Sequence, residues 1–334
     1  MLNIKKKLDK AIPAVISQLG YLINPLILNF TNENSRLLVF YFHGLYESNA
    51  EKQLGHIDPQ NNVTVAQFSE FIDYFLQHNY YFIKPEDLLK DLDKDQPYAM
   101  ITFDDGYFNN ILAVEILNKY KIPASFFITT KNVFENKSFW WDIIYKYRTK
   151  GGLNLETIRK EQAHLKNFKY SYIEKYIIEN FGSKCAEPWS DIDRPFTCAE
   201  LKNFSQNSFI TIGNHTHNHS ILTNYSEEEI KEDFTESNKL LLSLIGFKPR
   251  SIAFPNGNFN NSILNIARDA GFEFAFTTQN YINNLPIINN KMICLNRFMV
   301  KTSNIKYFGG CNRLGYTPDK LYSNLKKKMR FLKN

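Results

Sequence analysis

Short apolar segments alternate with segments of helical periodicity along most of the 334-residue chain. Residues 36–42, Arg-Leu-Leu-Val-Phe-Tyr-Phe, are rich in β-forming side chains and predict a buried strand that ends at His43. Similar runs predict strands at residues 80–83, 99–103, 124–128, 209–212, 251–254 and 274–277, and helices at 65–79, 109–120, 227–244 and 262–269. This number of strand–helix units favours parallel strands in a closed or nearly closed barrel, with the chemistry at the carboxyl ends of the strands.

A charged, helical stretch interrupts this alternation between residues 140 and 201 and is plainest at residues 156–181. We interpret it as a helical insertion of about residues 140–205. The sequence thus predicts an α/β main domain at residues 35–300, a basic and amphipathic segment at 1–34, and a basic segment at 301–334. No internal repeat is visible, which favours a single main domain.

Basic residues are concentrated at the two ends of the chain. The formal net charge is +6, and the densest clusters are the lysines at residues 5–7 and 326–328, the second followed by Arg330. Such ends favour an acidic surface or anionic lipid over duplex nucleic acid. We therefore expect peripheral membrane contact through the basic ends. Because no basic face with interleaved aromatic residues is visible, we expect no nucleic-acid partner.

The cysteines and the first 30 residues bear on the compartment. Four cysteines occur without a CxxC pair, which argues against a disulfide framework and favours a reducing cytoplasm. Prolines and polar residues break the apolar stretch at residues 11–30, so neither a secretory signal nor a membrane span is expected. An interfacial amphipathic helix and a helix packed on the domain both stay open for this stretch. The predicted location is the cytoplasm, at the inner face of the membrane.

Asp104 and Asp105 follow directly after the predicted strand at residues 99–103. Two adjacent carboxylates repel one another unless a cation lies between or beside them. Gly106 permits a tight turn that leaves both side chains at the edge of the sheet. The structural alternative is that Asp-Asp-Gly is only a turn and a helix cap, since Asp and Gly are favoured in both.

A second polar motif contains two histidines four residues apart, His215 and His219. We expect that spacing to place both imidazoles on one side of a helical turn, where they can bind one ion. The alternative is a solvated polar loop. Together with Asp105, the two histidines form a set of three ligands that leaves positions open for water and substrate. Open positions are typical of a catalytic metal site, so we expect a divalent cation as cofactor.

Three further groups could complete a hydrolytic site. Asp104 is not needed as a ligand and can take a proton from a water that the metal acidifies. A developing oxyanion could accept a hydrogen bond from the backbone N–H of Tyr107. An amine leaving group needs a proton, and His43 lies at the end of a predicted strand. The alternative for His43 is a hydrogen-bonded core histidine.

These motifs resemble those of the polysaccharide deacetylase family, the carbohydrate esterases that share the NodB homology domain. Residues 102–107, Thr-Phe-Asp-Asp-Gly-Tyr, are similar to its first motif, and residues 215–219, His-Thr-x-x-His, to its second. Residues 253–257, Ala-Phe-Pro-Asn-Gly, look like the third, and the resemblance covers roughly residues 37–300. It implies a distorted (β/α) barrel in which Asp104 is the base, and Asp105, His215 and His219 bind Zn²⁺ or a similar divalent ion.

The sequence departs from the family pattern in two ways. Ala253 stands where many members have an arginine that orients the catalytic aspartate. Arg297 is similar to an arginine near the end of the domain in another branch, and the resemblance gives it that orienting role. The late Leu-x-His motif, which supplies the general acid in the family, is missing. Residues 41–43, Tyr-Phe-His, resemble an early Tyr-x-His in biofilm-polysaccharide deacetylases, which makes His43 the candidate acid.

Substrate contacts are expected from the third motif and from an aromatic cluster. The third motif places Pro255, Asn256 and Gly257 among the candidate substrate-binding residues. The rings of Trp140 and Trp141 could stack on pyranose rings, because aromatic faces do so readily. The alternative is that these tryptophans belong to the core.

The predicted activity is metal-dependent removal of an N-acyl group from an amino sugar or glycan intermediate in surface-polysaccharide biosynthesis. Acetyl is the favoured acyl group. Lipid-linked and nucleotide-linked substrates both fit. Deformylation and O-deacetylation are alternatives, since the same metal, base and acid serve each reaction. A non-catalytic glycan-binding protein that retains the fold is a further alternative. That alternative predicts loss of the base or of a ligand, whereas all four residues are present.

Overall fold

A computed structural model describes residues 20–59, 63–287, 292–300 and 304–317. Its strands are β1 (Arg36–Phe42), β2 (Tyr81–Phe82), β3 (Tyr98–Phe103), β4 (Ala124–Ile128), β5 (Ile210–Asn214), β6 (Ser251–Ala253), β7 (Phe274–Phe276), β8 (Asn283–Asn284), β9 (Ile293–Leu295) and β10 (Phe298–Met299). Its helices are α1 (residues 20–28), α2 (Asn49–Gln53), α3 (Val65–Gln77), α4 (Ala113–Tyr120), α5 (Thr130–Glu135), α6 (Trp140–Lys150), α7 (Leu155–Leu165), α8 (Tyr170–Phe181), α9 (Cys198–Phe204), α10 (Glu227–Ile245), α11 (Asn261–Asp269) and α12 (Ile305–Arg313).

The strands of the described residues form one sheet in the order β10-β1-β3-β4-β5-β6-β7-β9, with β2 beside β3 and β8 beside β1. Every pairing along that path is parallel. The two ends of the path, β9 and β10, are consecutive in the chain, and the sheet curls into a nearly closed barrel. The predicted distorted (β/α) barrel is therefore confirmed.

The register of the parallel strands decides which loops meet. Phe42 of β1 lies opposite Phe103 of β3, so these two strands end level with each other. The next residues, His43 and Asp104, consequently start neighbouring loops at the carboxyl edge of the sheet. The pairing of β4 with β5 brings the loop that begins at His215 to the same edge.

Aromatic side chains fill the space between the barrel and its outer helices. Phe40 of β1 contacts Phe71 and Phe75 of α3, with ring centroids 4.8 Å away in each case. The rings of Phe42 and Phe103 stack 5.1 Å apart. Strands of a parallel sheet are covered on both faces, which explains why β1 and β3 are almost wholly apolar and buried. This packing fixes the strand ends that carry the polar residues.

Helices α6, α7 and α8 lie between β4 and β5, where the sequence predicts a helical insertion. They build a second apolar core that includes Ile144, Ile158 and Ile177, one from each helix. A buried ion pair joins Lys146 of α6 to Asp193 in the segment before α9. This ion pair braces the insertion internally. The same apolar core includes Tyr46, Ile57 and Tyr107 from outside the insertion, which holds the insertion as a wall beside the barrel.

The segment after β3 differs from the prediction of a single helix at residues 109–120. A 3₁₀ segment, Phe108–Leu112, precedes α4. The N–H of Phe108 donates to the carbonyl of Arg194 at 2.9 Å, and the Asn110 side chain donates to the carbonyl of His43. These long-range bonds hold the first turn against the insertion and the β1 loop. Hydrophobic periodicity reports local structure and cannot reveal such bonds.

Helices α1 and α12 pack on each other and on the barrel. The Asn24 side chain in α1 accepts a hydrogen bond from the Tyr316 hydroxyl at 2.6 Å, and Gly20 lies directly against the Tyr307 ring. Ile305 and Phe308 of α12 belong to the main apolar core. Residues on both sides of the predicted 35–300 domain therefore pack on it.

Some predictions about the ends of the chain concern residues that the structure does not describe. The basic clusters at residues 5–7 and 326–330 lie outside the described residues. Among the described residues, no helix combines the length and the apolar character needed to cross a bilayer. All four cysteines are free thiols.

Candidate metal centre and active site

Asp104 and Asp105 leave β3 through a tight turn. The N–H of Asp104 bonds to the carbonyl of Phe42 at 2.9 Å, which keeps Asp104 beside β1. Asp105 and Gly106 then adopt positive φ values of 75° and 91°. A residue with a Cβ adopts such a conformation at a cost of about 1–2 kcal/mol. The surrounding structure holds Asp105 in this conformation, and the two carboxylates meet different neighbours.

The histidine motif forms a loop, so the predicted helical turn is wrong. None of the residues 215–220 is helical, and Thr216 and His219 have positive φ values of 68° and 51°. The imidazoles of His215 and His219 nevertheless converge, with ring centroids 4.9 Å apart. The backbone is set by tertiary hydrogen bonds rather than by helical periodicity, which is why spacing alone misled the prediction.

Two side chains hold this loop in place. Asn214 Oδ1 accepts a hydrogen bond from the N–H of Thr216 at 2.7 Å. Asp233 of α10 accepts one from the N–H of His217 at 2.7 Å and one from the Ser220 hydroxyl at 2.8 Å. Burial raises the pKa of Asp233 to about 6, against the opposing effect of these donors. The loop geometry therefore depends on a helix that follows it in the chain.

Asp105, His215 and His219 offer three ligand atoms that lie within 4.8 Å of one another. The two Nε2 atoms are 3.3 Å and 3.4 Å from Asp105 Oδ1. The Nδ1 of His215 donates to the carbonyl of Ala253 at 2.8 Å, so its Nε2 presents a lone pair. A lone pair and a carboxylate oxygen that face each other repel unless a cation lies between them. The donor set therefore fits a divalent ion.

The environment of Asp105 also fits a metal ligand. Only 1% of its surface is exposed, and within the described structure neither carboxylate oxygen has a hydrogen-bond donor. Burial acts to raise the pKa of Asp105, but positive charge on the neighbouring imidazoles of His43, His215 and His219 would outweigh burial and lower it. The carboxylate therefore stays anionic and is available to a cation.

Asp104 is paired with Arg297, which lies between β9 and β10. The guanidinium donates to both carboxylate oxygens, at 2.7 Å from Nη1 and 2.8 Å from Nη2. Arg297 is fully buried and also donates to the Thr102 hydroxyl and the Thr277 carbonyl, at 3.1 Å and 2.8 Å. Burial acts to raise the pKa of Asp104, but the charge of Arg297 leads the effects that lower it. Asp104 is thus an ionised carboxylate of fixed orientation.

His43 lies on the other side of Asp105. Its Nε2 is 4.0 Å from Asp105 Oδ2, and its Nδ1 has no hydrogen-bond partner among the residues that the structure describes. Burial lowers the pKa of His43, while the charges of Asp105 and Asp104 oppose that effect. Its ring is positioned to face a substrate, and its role as the acid stays a prediction.

One cavity of about 350 Å³ brings most of these groups together, a volume within the usual range of small-molecule sites. Of the predicted site residues, its lining contains His43, Asp104, Asp105, Trp140, Trp141, His215, His219 and Asn256. The predicted base, the predicted acid and the three candidate ligands therefore face the same space.

The sequence leaves open whether Trp140 and Trp141 are core residues or line the substrate site, and the structure shows that both are buried and both line the cavity. They are 4% and 6% exposed and belong to the core of the insertion, yet both contribute to the cavity wall. The ring of Trp141 packs 4.4 Å from that of His219, and its Nε1 donates to the Tyr107 hydroxyl at 2.9 Å. Trp141 thus packs directly on a candidate metal ligand, whereas stacking of either ring on a sugar stays a prediction.

The third motif contributes one residue to the cavity. Asn256, which has a φ of 57°, lies in the wall. Pro255 is buried, and Gly257, with a φ of 73°, packs so closely on Thr278 that a side chain there would clash. Pro255 and Gly257 are not part of the cavity lining and instead shape the turn that presents Asn256.

Tyr107 was predicted to act through its backbone N–H. That N–H makes no hydrogen bond within the described structure. Tyr107 is not part of the cavity lining, so a contact of its N–H with a substrate stays a prediction. The side chain has a different task, because its hydroxyl donates to Asp142 at 2.6 Å and ties the turn to the insertion. Burial raises the pKa of Tyr107 well above its ordinary value, so the hydroxyl stays protonated.

Four further cavity residues belong to none of the sequence motifs. Asp58, Arg159, Gln162 and Lys166 line the wall on the side of the insertion. Arg159, Gln162 and Lys166 share one face of α7 and its C-cap, a helical spacing that is visible in the sequence. Spacing cannot show that this polar face meets the barrel rather than solvent.

Fold and site define a class of protein, an α/β barrel with three candidate metal ligands and a separate carboxylate at its strand ends. The sequence profile described as polysaccharide deacetylase matches residues 91–275, more than half of the chain. The chain belongs to the polysaccharide deacetylase family, the NodB-like carbohydrate esterases, which are carbohydrate deacetylases. Among curated proteins, none matches the sequence.

Solved deacetylase structures share the fold at low sequence identity. The Streptococcus pyogenes deacetylase PplD, in complex with acetate, is 17% identical with a TM-score of 0.54, over 87% of this chain and 98% of PplD. IcaB from Ammonifex degensii is 17% identical with a TM-score of 0.56, over 84% of this chain and 98% of IcaB. The Bacillus cereus polysaccharide deacetylase BC0361 is 16% identical with a TM-score of 0.57, over 83% of this chain and 68% of BC0361. At these identities the likeness concerns the fold alone.

Proposed function

We propose that this protein is a metal-dependent hydrolase that removes the N-acetyl group from an amino sugar or glycan intermediate. One observation carries the proposal: Asp104, held by an arginine, faces the same cavity as the buried set Asp105, His215 and His219. Such an arrangement leaves a carboxylate that is not a ligand available as a base, which suits metal-assisted hydrolysis. Family membership supports carbohydrate deacetylation as the reaction class.

Asp105, His215 and His219 would hold the ion, and we propose zinc, which binds imidazole and carboxylate in sites that keep open positions. When bound, the ion supplies a Lewis acid that polarises the acyl carbonyl and makes water more acidic. The carbonyl of Ala253 supports the set by fixing the tautomer of His215.

The protein's own groups would move the protons. Asp104, anionic and oriented by Arg297, would accept a proton from the attacking water. The N–H of Tyr107 would donate to the carbonyl oxygen as negative charge develops on it. His43 would give a proton to the departing nitrogen, so that the products are acetate and a free amino sugar.

We also propose that the enzyme works at the inner face of an anionic membrane, during assembly of a surface polysaccharide from lipid- or nucleotide-linked precursors. Leu28 is buried, whereas six large apolar side chains in and just after α1 are exposed: Tyr21, Leu22, Ile23, Leu26, Ile27 and Phe30. Residues 1–19 carry four lysines and one aspartate, and residues 318–334 carry five lysines, one arginine and one aspartate. An apolar helix face flanked by basic residues is typical of interfacial binding.

The proposed catalytic domain is residues 35–300, including the insertion, with α1 and α12 packed on it.

The test uses zinc-loaded protein and an Asp104→Asn variant with polymeric, nucleotide-linked and lipid-linked N-acetylhexosamines. We expect the parent to release acetate from one of these classes. The variant should be slower by about 10²–10⁴-fold, the usual contribution of a general base. Calorimetry should show that the variant still binds zinc, because Asp104 is not a ligand.

Substrate analogues separate the alternatives. Formate release from N-formyl sugars without acetate release would identify a deformylase, and acetate release from O-acetyl sugars alone would identify an O-deacetylase. Saturable sugar binding with no release from any substrate would refute hydrolysis and support a glycan-binding protein.

A further inference from the structure

One face of α7 forms the insertion's side of the catalytic cavity. Arg159, Gln162, Ala163 and Lys166 line it at the spacing i, i+3, i+4 and i+7. Residues at that spacing lie on one side of a helix, so two cationic side chains, Arg159 and Lys166, line the cavity from the same wall. The cavity is thus bounded by the barrel on one side and by a basic helix face on the other.

The other charges in the cavity are already matched. Asp58 and Arg159 form an ion pair at 2.7 Å. Asp104 has its buried arginine, and Asp105 belongs to the metal centre. In the described part of the chain, no carboxylate lies within ion-pair distance of the Lys166 ammonium. Lys166 is therefore the cation in this cavity whose charge is unmatched.

The contacts of Lys166 direct it into the cavity. Its Nζ donates to Asn256 Oδ1 at 2.8 Å, which holds the ammonium beside the third-motif turn. An ammonium has three donors and a neutral amide cannot balance its charge. Burial lowers the pKa of Lys166, and the charge of Arg159 acts in the same direction. A lysine at a helix C-terminus is favourable in itself, but that benefit needs no cavity position.

We infer that Lys166 is the centre of an anion subsite that binds a phosphate or carboxylate carried by the acetylated sugar substrate. The inference rests on the proposed function and narrows its substrate class to anionic saccharides. Phosphate and carboxylate share the chemistry that an ammonium with an adjacent amide recognises, a fixed negative charge with several acceptor oxygens. Neutral polymers would leave the ammonium unmatched and would be the poorer substrates.

The experiment compares three substrates of the zinc-loaded enzyme: neutral N,N′-diacetylchitobiose, UDP-N-acetylglucosamine, and a disaccharide of glucuronic acid and N-acetylglucosamine. In the parent, kcat/KM should favour one anionic substrate, and which one wins distinguishes phosphate from carboxylate. Lys166→Gln should reduce the ratio of anionic to neutral kcat/KM by about tenfold or more, mainly through KM. Lys166→Arg should keep most of the preference. Lys160→Gln, an exposed lysine on the same helix that pairs with Glu156, is the matched control.

A binding measurement separates this inference from the proposed function. Calorimetry on the Asp104→Asn protein, in which turnover should be too slow to disturb the measurement, gives the affinity for the same three saccharides and for inorganic phosphate, with and without Lys166→Gln. Binding of anions that depends on Lys166, without hydrolysis by the parent, would support the subsite and refute the proposed function. Hydrolysis in which Lys166→Gln affects neutral and anionic substrates equally would refute the subsite alone.

Discussion

Arg297 is the residue on which the orientation of the candidate base depends. Its guanidinium is fully buried, and its nitrogens donate to Asp104, Thr102 and the carbonyl of Thr277. The Tyr41 ring lies 4.5 Å from the guanidinium carbon. A buried charge that loses its partner is costly, so the arginine and the aspartate stabilise each other as a unit.

Replacement of Arg297 with methionine should lower the free energy of unfolding by about 3–5 kcal/mol, because Asp104 would remain as an unpaired buried charge. The double variant with Asp104→Asn should recover part of that loss, since the amide carries no charge. Urea unfolding of the metal-free proteins at pH 7 measures both effects. Equal stability of the single and double variants would argue against a mutually dependent pair.

The same pair predicts a pH dependence. The pKa of Asp104 is lowered in the folded protein. Its contribution to stability is therefore present above the ordinary carboxyl pKa and is lost as the pH falls through the lowered value. The stability difference between the parent and Arg297→Met should shrink below about pH 4.

Residues of the site differ in how well the sequence predicts them. Asp104 and His215 stand directly after apolar runs, and parallel strands bring such positions to one edge, so their proximity could be predicted. Lys166 and Asp233 lie on helices whose neighbours only the folded chain defines. Their contributions are tertiary, and no local pattern marks them.

At the level of elements, the loop after β5 depends on α10. Asp233 fixes the N–H of His217 and the hydroxyl of Ser220, so it sets the loop geometry without touching the candidate ion itself. Supporting groups of this kind commonly change metal affinity through the orientation of the ligands.

Asp233→Ala should weaken zinc binding by about 10–100-fold while the three ligands stay in place. Competition with a chromophoric chelator measures the affinity. Glu232→Ala, at an exposed position on the same helix, should leave it unchanged. An unchanged affinity in Asp233→Ala, with the fold verified by its thermal midpoint, would show that the loop needs no such support.

The elements themselves were predictable to different degrees. The apolar runs give the positions of β1, β3 and β4 closely, because buried parallel strands are recognisable from composition alone. The 3₁₀ segment Phe108–Leu112 and the loop at residues 215–220 were predicted as helical. In both, hydrogen bonds to distant groups override the local preference.

At the scale of the whole molecule, α1 is attached through one side and exposed on the rest. Asn24 and Leu28 are buried, whereas Leu22 and Phe30 are 66% and 93% exposed. The two sequence alternatives, packing on the domain and interfacial binding, are therefore compatible. Tyr316 bonds to Asn24, so the segments that lead toward both basic ends leave the described structure beside this helix.

Vesicle binding tests the proposed membrane contact. The full chain should bind vesicles of phosphatidylcholine and phosphatidylglycerol more tightly than vesicles of phosphatidylcholine alone, and less tightly at high salt. Leu22→Glu combined with Leu26→Glu should reduce the partition coefficient by about tenfold or more, because both side chains lose apolar burial. Leu242→Glu, at an exposed leucine of α10, is the control. Sedimentation that is equal for all variants would contradict a role for α1.

Asp105, Thr216 and His219 have positive φ values, so the backbone of the site lowers the stability of the fold at these three residues. Glycine at Asp105 or His219 would relax the backbone but remove a candidate ligand. Glycine at Thr216 would remove the hydroxyl that accepts a hydrogen bond from the N–H of Ser220 at 2.8 Å within the loop. Variants of this protein selected only for thermal stability should therefore accumulate glycine at these three positions, whereas variants selected for catalytic activity should not. In a lineage that no longer needed the reaction, these three residues would be expected to change before the aromatic residues that pack between the barrel and its outer helices.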